Sequence, residues 1–363
     1  MKEKLHPFHV TFLIYMIQAG VVVFSLPRLI AAHMGYNGWI TLFLFLGLTS
    51  LNILLISFVY RLSGGQSIFQ IIEAALPKFI VVPLYVFVLS VWSLCGCIAA
   101  KQYVNIYQIF VFPTAHPMLI KFLVDILTLL LIMKGIYNIT KAATIFFWLV
   151  IWTILLLLFF VNSISLVDYT PFFLKEAREP LQGGMNIYSA FLGYELSLLL
   201  FPYAQKGKGF IRAVYVGNLF TAITYILICI VCFGFYSFYQ LQRMKFPVID
   251  LLSYIELPFV ERIENLIFSV FVFTALIGNV MYAWSAIQTA HRIIPKANIK
   301  WLSLIIVILA YAVSWIPNVL SEVEKWLLTL GYLEFGIAFG LPMLLIIILL
   351  FRARRNEPCA DYS

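Results

Sequence analysis

The sequence predicts an all-α, polytopic membrane protein on the basis of its composition, its long apolar segments and the loop charges between them. Of its 363 residues, 63% are hydrophobic and only 11% are charged, whereas a soluble domain is about 45–50% apolar and about 25% charged. No polar stretch is long enough to build a soluble domain, so residues 1–363 are expected to form a single transmembrane domain. The net charge of +8 does not call for a nucleic-acid partner, since basic loops at a membrane face anionic lipid headgroups.

A helix that crosses the hydrocarbon core of a bilayer needs roughly 20 mostly apolar residues, and about ten such segments follow one another along the chain. They are residues 8–32, 38–60, 79–111, 118–134, 140–162, 186–204, 210–238, 264–290, 300–317 and 326–351. Most Lys and Arg residues fall in the loops on one side. The positive-inside rule therefore places both termini, including the basic tail 352–363, in the cytoplasm.

The first segment contains signals that interrupt a helix. Gly20 is followed by three consecutive valines, and Pro27 removes a backbone donor. A freed backbone group inside a membrane finds no water, so such a break persists only where it is buried in protein or lines a cavity. We therefore expect a break near Gly20 that holds a ligand. The simpler interpretation is a kinked spanning helix, because Gly and Pro are common in membrane helices.

A second interrupted segment, Phe191–Tyr203, opens the second half of the chain as the first opens the first half. Paired interruptions of this kind are the best sequence pointer to a transporter-type central site. Five spans in each half would give the halves opposite orientations. The sequence thus predicts a 5+5 inverted repeat over residues 8–162 and 186–351, with its first and sixth helices broken.

The two breaks supply most of the candidate substrate-binding residues. Freed amides at a half-helix N-terminus favour a carboxylate or another polar oxygen, and facing carbonyls favour an ammonium group. The apolar surroundings indicate a small neutral molecule. The candidates at the breaks are Gly20, Val21, Val22, Leu192, Gly193 and Tyr194.

Charges inside a membrane are costly and by default functional. Lys101 and Asp125 lie at similar depth on neighbouring predicted helices, which favours an ion pair. Glu195 adjoins the second break and could orient its backbone or anchor an outer gate. Arg28 and Glu334 both fall in outer halves of helices and could pair. A proton relay is the alternative for any of these residues.

The segment Gly20–Pro27 resembles the first-helix pattern of the amino acid–polyamine–organocation transporter superfamily, and Phe191–Glu195 resembles its sixth-helix Gly-Phe-Glu motif. The chain departs from that pattern with Val22 in place of a second Gly and Tyr194 in place of Phe. Within the superfamily the chain is most similar to the B subunits of spore germination receptors. That likeness rests on Leu26-Pro27-Arg28, Asn37-Gly38-Trp39-Ile40-Thr41, Leu192-Gly193-Tyr194-Glu195, Phe201-Pro202, Phe246-Pro247 and Glu261-Arg262.

The resemblance implies a protein of the inner spore membrane that senses a small nutrient, works with receptor A and C subunits and signals germination. It implies neither an enzyme nor a cofactor or metal. In the family's fold two further helices flank the breaks, which adds candidate pocket walls. Small residues among them could equally serve close helix packing. These wall candidates are Trp92, Gly96, Gly278 and Tyr282.

The competing interpretation is a proton- or sodium-coupled amino-acid permease. Coupled relatives often carry a Lys on the fifth helix, whereas Ala142–Val161 contains no charged residue. Ser285 and Thr289 are weak sodium candidates. An enzyme acting on lipid is a third possibility, but no cluster of His, Cys or carboxylate residues supports it.

Overall fold

The computed structural model describes residues 4–169, 174–205, 207, 209–255 and 263–355, which form helices and their connections. Residues 356–363 of the predicted basic tail, and Glu261 and Arg262, lie outside these ranges. The α-helices are α1 (Pro7–Gln18), α2 (Leu26–Met34), α3 (Thr41–Ser63), α4 (Ile68–Ala75), α5 (Lys78–Phe110), α6 (Pro117–Met133), α7 (Ile136–Ile151), α8 (Pro180–Ser189), α9 (Gly209–Phe235), α10 (Phe238–Arg243), α11 (Pro247–Leu252), α12 (Ile263–Val270), α13 (Val272–Ile293), α14 (Ile299–Val313) and α15 (Leu320–Arg355). The 3₁₀ helices are Val21–Phe24, Gly38–Ile40, Trp152–Ser163, Leu166–Tyr169 and Tyr194–Tyr203.

The all-helical membrane fold predicted from the sequence is confirmed. The predicted spans 118–134 and 300–317 correspond to α6, which has 17 residues, and to α14, which has 15 residues. The first predicted span is divided into α1, the 3₁₀ helix Val21–Phe24 and α2, and the sixth is divided into α8 and the 3₁₀ helix Tyr194–Tyr203. The total number of crossings and the inverted repeat stay predictions. Within the described residues, six helical stretches are long and apolar enough to span a bilayer: Gly38–Ser63, Lys78–Phe110, Ile136–Ser163, Gly209–Phe235, Ile263–Ile293 and Leu320–Arg352.

The long helices α5 and α13 pack against each other along much of their length. Gly96 permits this close approach, because a Cβ atom there would lie 2.8 Å from Cβ of Tyr282 and 3.2 Å from the carbonyl oxygen of Asn279. The packing use of Gly96 is therefore the one that the contacts support. The broken first helix lies among the other long helices, with α1 packed against α7, α9 and α13.

The predicted ion pair between Lys101 and Asp125 is wrong. Asp125 pairs instead with Lys121, whose Nζ lies 2.5 Å from Asp125 Oδ2, and Asn279 of α13 donates to Asp125 Oδ1 at 3.0 Å. The ammonium group of Lys101 donates to the carbonyl oxygen of Ser314. Because Lys121 precedes Asp125 by one helical turn, it reaches the carboxylate without any tertiary constraint.

The N-terminal segment joins the end of the second interrupted segment by a short parallel bridge. The amide of Leu5 donates to the carbonyl of Tyr203 at 2.8 Å, and the amide of Gln205 donates to the carbonyl of Leu5 at 3.3 Å. The chain ahead of α1 is thus fixed to the chain that leaves the second break.

Candidate functional site

The helix break predicted near Gly20 is present. Helix α1 ends at Gln18, and Gly20 has extended backbone angles (φ −89°, ψ −169°) before the 3₁₀ turn Val21–Phe24. The next helix, α2, begins at Leu26 with Pro27 in its first turn. A missing N–H costs nothing at that position. Pro27 therefore starts a new helix and does not kink an existing one.

The first break exposes backbone donors. Gly20 donates to the carbonyl of Gln18 at 2.7 Å, and Val23 donates to the carbonyl of Gly20 at 3.3 Å. Within the described residues, no acceptor is recorded for the amides of Val21 and Val22. These two amides lie at the N-terminus of a helical turn, where an anionic or polar oxygen is favoured.

The second break follows α8, which ends at Ser189, and precedes the 3₁₀ helix Tyr194–Tyr203. Gly193 has φ +117°, a backbone conformation that residues with a Cβ atom rarely adopt. A Cβ atom at Gly193 would also collide with Cγ2 of Ile17 in α1. The second break therefore lies directly against the last turn of α1, and glycine is required at this contact.

Side chains occupy the freed carbonyls of the second break. The hydroxyl of Tyr225 donates to the carbonyl of Ala190 at 3.0 Å, and Nε2 of Gln18 donates to the carbonyl of Phe191 at 2.5 Å. The carbonyl of Gly193 accepts from the amide of a residue in the following 3₁₀ helix at 3.3 Å. The carbonyls of Ala190, Phe191 and Gly193 are therefore taken up by the protein itself, whereas no donor among the described residues is recorded for the carbonyl of Leu192.

Gln18 is the centre of a buried polar network between the breaks and α9. Its Nε2 also donates to Oδ1 of Asn218 at 3.0 Å, and its Oε1 accepts from the hydroxyl of Thr221 at 3.0 Å. Asn218 in turn donates to the hydroxyl of Thr49 in α3 at 3.0 Å. Every polar atom of the Gln18 side chain is thus engaged with another helix or with the second break.

A cavity of about 140 Å³ lies where the breaks, α5, α13 and α15 converge. An apolar cavity of roughly 150 Å³ is large enough to hold benzene. The cavity can therefore hold a solute of only a few non-hydrogen atoms. Its lining residues are Ile17, Gln18, Gly20, Val21, Val22, Cys95, Ala99, Gln102, Ser189, Ala190, Leu192, Tyr282, Leu327, Leu330, Gly331 and Glu334.

Several predicted site residues line this cavity and others lie outside its lining. Those in the lining are Gly20, Val21, Val22, Leu192, Tyr282 and Glu334. The candidates outside the lining are Trp92, Gly96, Gly193, Tyr194 and Gly278. The hydroxyl of Tyr194 lies 2.6 Å from that of Tyr188, so it holds the second break in place without reaching the cavity.

Sequence reasoning missed the wall that α15 supplies. Leu327, Leu330 and Gly331 precede Glu334 on this wall. They fall in an unbroken apolar run with no motif, so nothing in the sequence distinguishes them from residues that face lipid. The suggested partner of Glu334 is also corrected: Trp92 Nε1 donates to Glu334 Oε1 at 3.0 Å, and no ion pair to Arg28 is found among the described residues.

Glu195 and Glu334 are the buried carboxyl groups of the site, each 1% exposed. Both oxygens of Glu195 accept from the amide of Gly193 at 2.8 Å, and Oε1 also accepts from the hydroxyl of Tyr282 at 3.2 Å. Glu195 therefore orients the backbone of the second break, one of the two roles predicted for it. Oε2 of Glu334 has no hydrogen-bond partner among the described residues.

Comparison with known proteins decides the family. The family described as spore germination protein matches residues 4–320. The chain belongs to this family. Spore germination protein GerQB of Bacillus cereus is 27% identical over 355 residues, covering 96% of each chain. Spore germination protein A2 of Bacillus subtilis (strain 168) is 25% identical over 373 residues, covering 97% of each chain.

Solved structures similar to this spore germination protein are transporters. Mhp1, a nucleobase-cation-symport-1 family transporter in a closed conformation with bromovinylhydantoin bound, matches with a TM-score of 0.66 at 12% identity over 99% of this chain and 81% of Mhp1. A Na⁺-coupled sialic acid symporter matches with a TM-score of 0.64 at 13% identity over 94% of this chain and 79% of the symporter. The chain is therefore a membrane protein with the fold of these transporters.

Proposed function

We propose that this protein is the membrane subunit of a spore nutrient receptor, and that it binds a small, net-neutral, amino-acid-like nutrient in the central cavity. The observation that carries the proposal is the cavity itself, which lies between two broken helices in a chain of the spore germination family. Binding would change the relative positions of the two breaks, and that change would be the signal for germination.

The size and chemistry of the cavity support a small solute. Its walls are mostly apolar, and the amides of Val21 and Val22 offer donors to a carboxylate or another oxygen of the ligand. A ligand that buried an unpaired charge would carry a large desolvation cost, whereas a neutral molecule would not, and a zwitterion would need a partner for each of its charges. A solute of amino-acid size matches both the volume and these donors.

The proposal includes partners and a location. Receptor A and C subunits would receive the conformational change, and the chain would lie in the lipid bilayer of the inner spore membrane with both termini in the cytoplasm. Family membership supports these assignments, and the distribution of Lys and Arg among the loops supports the orientation.

Substituting Gly20 tests the pocket. Its position has open space, the nearest atom to an added Cβ being the carbonyl oxygen of Gln18 at 3.8 Å, so Gly20→Leu should fold while its side chain fills the cavity. We expect spores that carry Gly20→Leu to lose their dose response to amino acids while the protein inserts normally. Gly336→Leu is the matched control, because an added Cβ at this exposed position of α15 meets nothing within 4 Å. An unchanged dose response for Gly20→Leu would refute the pocket.

A proton- or sodium-coupled permease is the alternative function. Its specific support is Ser285, whose buried hydroxyl has no hydrogen-bond partner among the described residues. Uptake of radiolabelled amino acids into liposomes that contain the protein alone separates the two functions. Gradient-driven accumulation would establish the permease, and binding without accumulation would support the receptor.

A further inference from the structure

Residues 174–179, which lead into α8, are held in an unfavourable backbone conformation. Leu174, Glu176 and Glu179 all have positive φ, at 54°, 65° and 49°. Residues with a Cβ atom are disfavoured there because that atom comes too close to the following carbonyl oxygen. Glu179 also precedes Pro180, and the residue before a proline favours an extended backbone. Strained residues of this kind persist only where surrounding contacts determine them, as at ligand clamps and switches.

The contacts that determine this conformation come from the C-terminal end of α2. The amide of Leu174 donates to the carbonyl of Tyr36 at 2.8 Å, and the amide of Tyr36 donates to the carbonyl of Lys175 at 3.0 Å. The amide of Arg178 donates to the carbonyl of His33 at 3.1 Å. These three backbone hydrogen bonds hold the strained residues against the end of α2.

Gly35 permits this close approach. It has φ +76°, and a Cβ atom there would collide with the carbonyl oxygen of Lys175 and lie 2.9 Å from the amide nitrogen of Ala177. Both are backbone atoms of residues 174–179, so no rotation of a side chain could make room. Glycine is therefore required at this position for the two segments to pair.

The strained residues also connect the helices that lead away from the two breaks. Helix α8 begins at Pro180 and packs against α2, with Gly183 so close to His33 that a Cβ atom at Gly183 would collide with it. Val22 of the first break precedes α2, Ser189 ends α8, and both line the cavity. Residues 174–179 therefore join α2 and α8 at the ends that lie away from the cavity.

Helix α10 contacts both sides of this connection. The ring of Phe238 in α10 stacks on the ring of Tyr36, with centroids 3.8 Å apart. The hydroxyl of Tyr239, also in α10, donates to Glu176 Oε1 at 3.3 Å. Helices α2, α8 and α10 are thus held together by one small region of the chain.

We infer that residues 174–179 are a strained latch, which holds α2 to α8 and widens the cavity between the two breaks when it is released. The left-handed residues disfavour the latched arrangement, whereas the hydrogen bonds to α2 favour it. On release these residues would return to extended backbone, which lengthens the connection and lets α2 and α8 separate. Such a latch controls access to the cavity whatever solute the cavity binds.

Hydrogen exchange of the purified full-length protein in detergent, resolved by peptide mass spectrometry, measures how often the latch opens. Glycine adopts positive φ without steric cost, and the side chain of Glu179 is exposed and does not cap α8. We therefore expect Glu179→Gly to slow exchange at residues 174–178 by on the order of three- to tenfold. The control Glu179→Ala removes the same side chain but keeps a Cβ atom, so exchange should stay as in the natural protein.

Gly35→Ala should act in the opposite direction, since its methyl group would displace the latch. We expect exchange at the latch to become faster by on the order of tenfold or more. The control is Gly135→Ala, because Gly135 also has positive φ (+82°) but an added Cβ atom meets nothing within 4 Å. Labelling by N-ethylmaleimide should accelerate at Cys95, which lines the cavity, and not at Cys229, which is buried in α9 outside the lining.

Each outcome supports or overturns the latch. Equal exchange in Glu179→Gly and Glu179→Ala would show that no strain is stored. Faster exchange at the latch in Gly35→Ala without faster labelling of Cys95 would separate the latch from the cavity, and parallel acceleration at Cys229 would indicate global unfolding; either result overturns the inference. If Gly35→Ala does not fold, labelling of Cys95 decides, since Glu179→Gly should slow it. Nutrient binding itself is tested separately by Gly20→Leu.

Discussion

The two breaks differ in how their freed backbone groups are satisfied. At the first break, the amides of Val21 and Val22 have no acceptor among the described residues and line the cavity. At the second break, the carbonyls of Ala190 and Phe191 accept hydrogen bonds from side chains. The first break is therefore chemically open to a ligand, whereas the second is held by the protein.

The side chain of Gln18 connects the two breaks. Gln18 is the last residue of α1, and its amide group reaches across to the second break and to α9. A ligand that displaced the first break would therefore act on the second break through Gln18. Two breaks that carry a similar Gly-and-Pro signal in the sequence thus differ in which of their backbone groups the protein itself satisfies.

The largest expected loss in the free energy of unfolding comes from removing the hydrogen bonds of Gln18. Gln18→Leu would leave the carbonyl of Phe191, Oδ1 of Asn218 and the hydroxyl of Thr221 without this partner. At roughly 1 kcal/mol or more for each buried group, the free energy of unfolding should fall by about 3 kcal/mol. Denaturation of the purified protein measures it, with Gln70→Leu at an exposed position of α4 as the control. Equal stability of the two variants would show that the breaks are not held together in this way.

A smaller loss is expected from Gly193→Ala. The positive φ of Gly193 and the nearby Ile17 side chain both oppose a Cβ atom, and we expect a loss of about 2 kcal/mol in the free energy of unfolding. The same denaturation experiment measures it. A loss near zero would mean that the second break is as adaptable as the first.

The smallest effect is expected from Gly20→Ala, which is the matched substitution at the first break. Because the backbone of Gly20 is extended and the space beside it is open, the free energy of unfolding should change by less than about 0.5 kcal/mol. A loss as large as that of Gly193→Ala would remove the distinction between the breaks.

The sequence predicted the architecture well because hydropathy and Gly/Pro interruptions are local signals. The break at Gly20 and the irregular backbone around Gly193 lie where those signals placed them.

Contacts between distant residues could not be predicted in the same way. Trp92 and Glu334 are 242 positions apart, and no periodicity or motif links them. Similar depth on neighbouring helices favours Lys101 as the partner of Asp125, but Lys121 lies one turn away on the same helix and forms the pair. Burial of polar atoms at helix crossings depends on rotation about each helix axis, which hydropathy does not determine.

The bridge between Leu5 and the chain near Tyr203 has a practical consequence for labelling. A fluorescent protein fused immediately ahead of Leu5 would disturb the parallel bridge that Leu5 forms at the end of the second interrupted segment. The same reporter placed beyond α15 would leave that contact intact. Reporters at these two positions should therefore differ in how far they disturb the second interrupted segment.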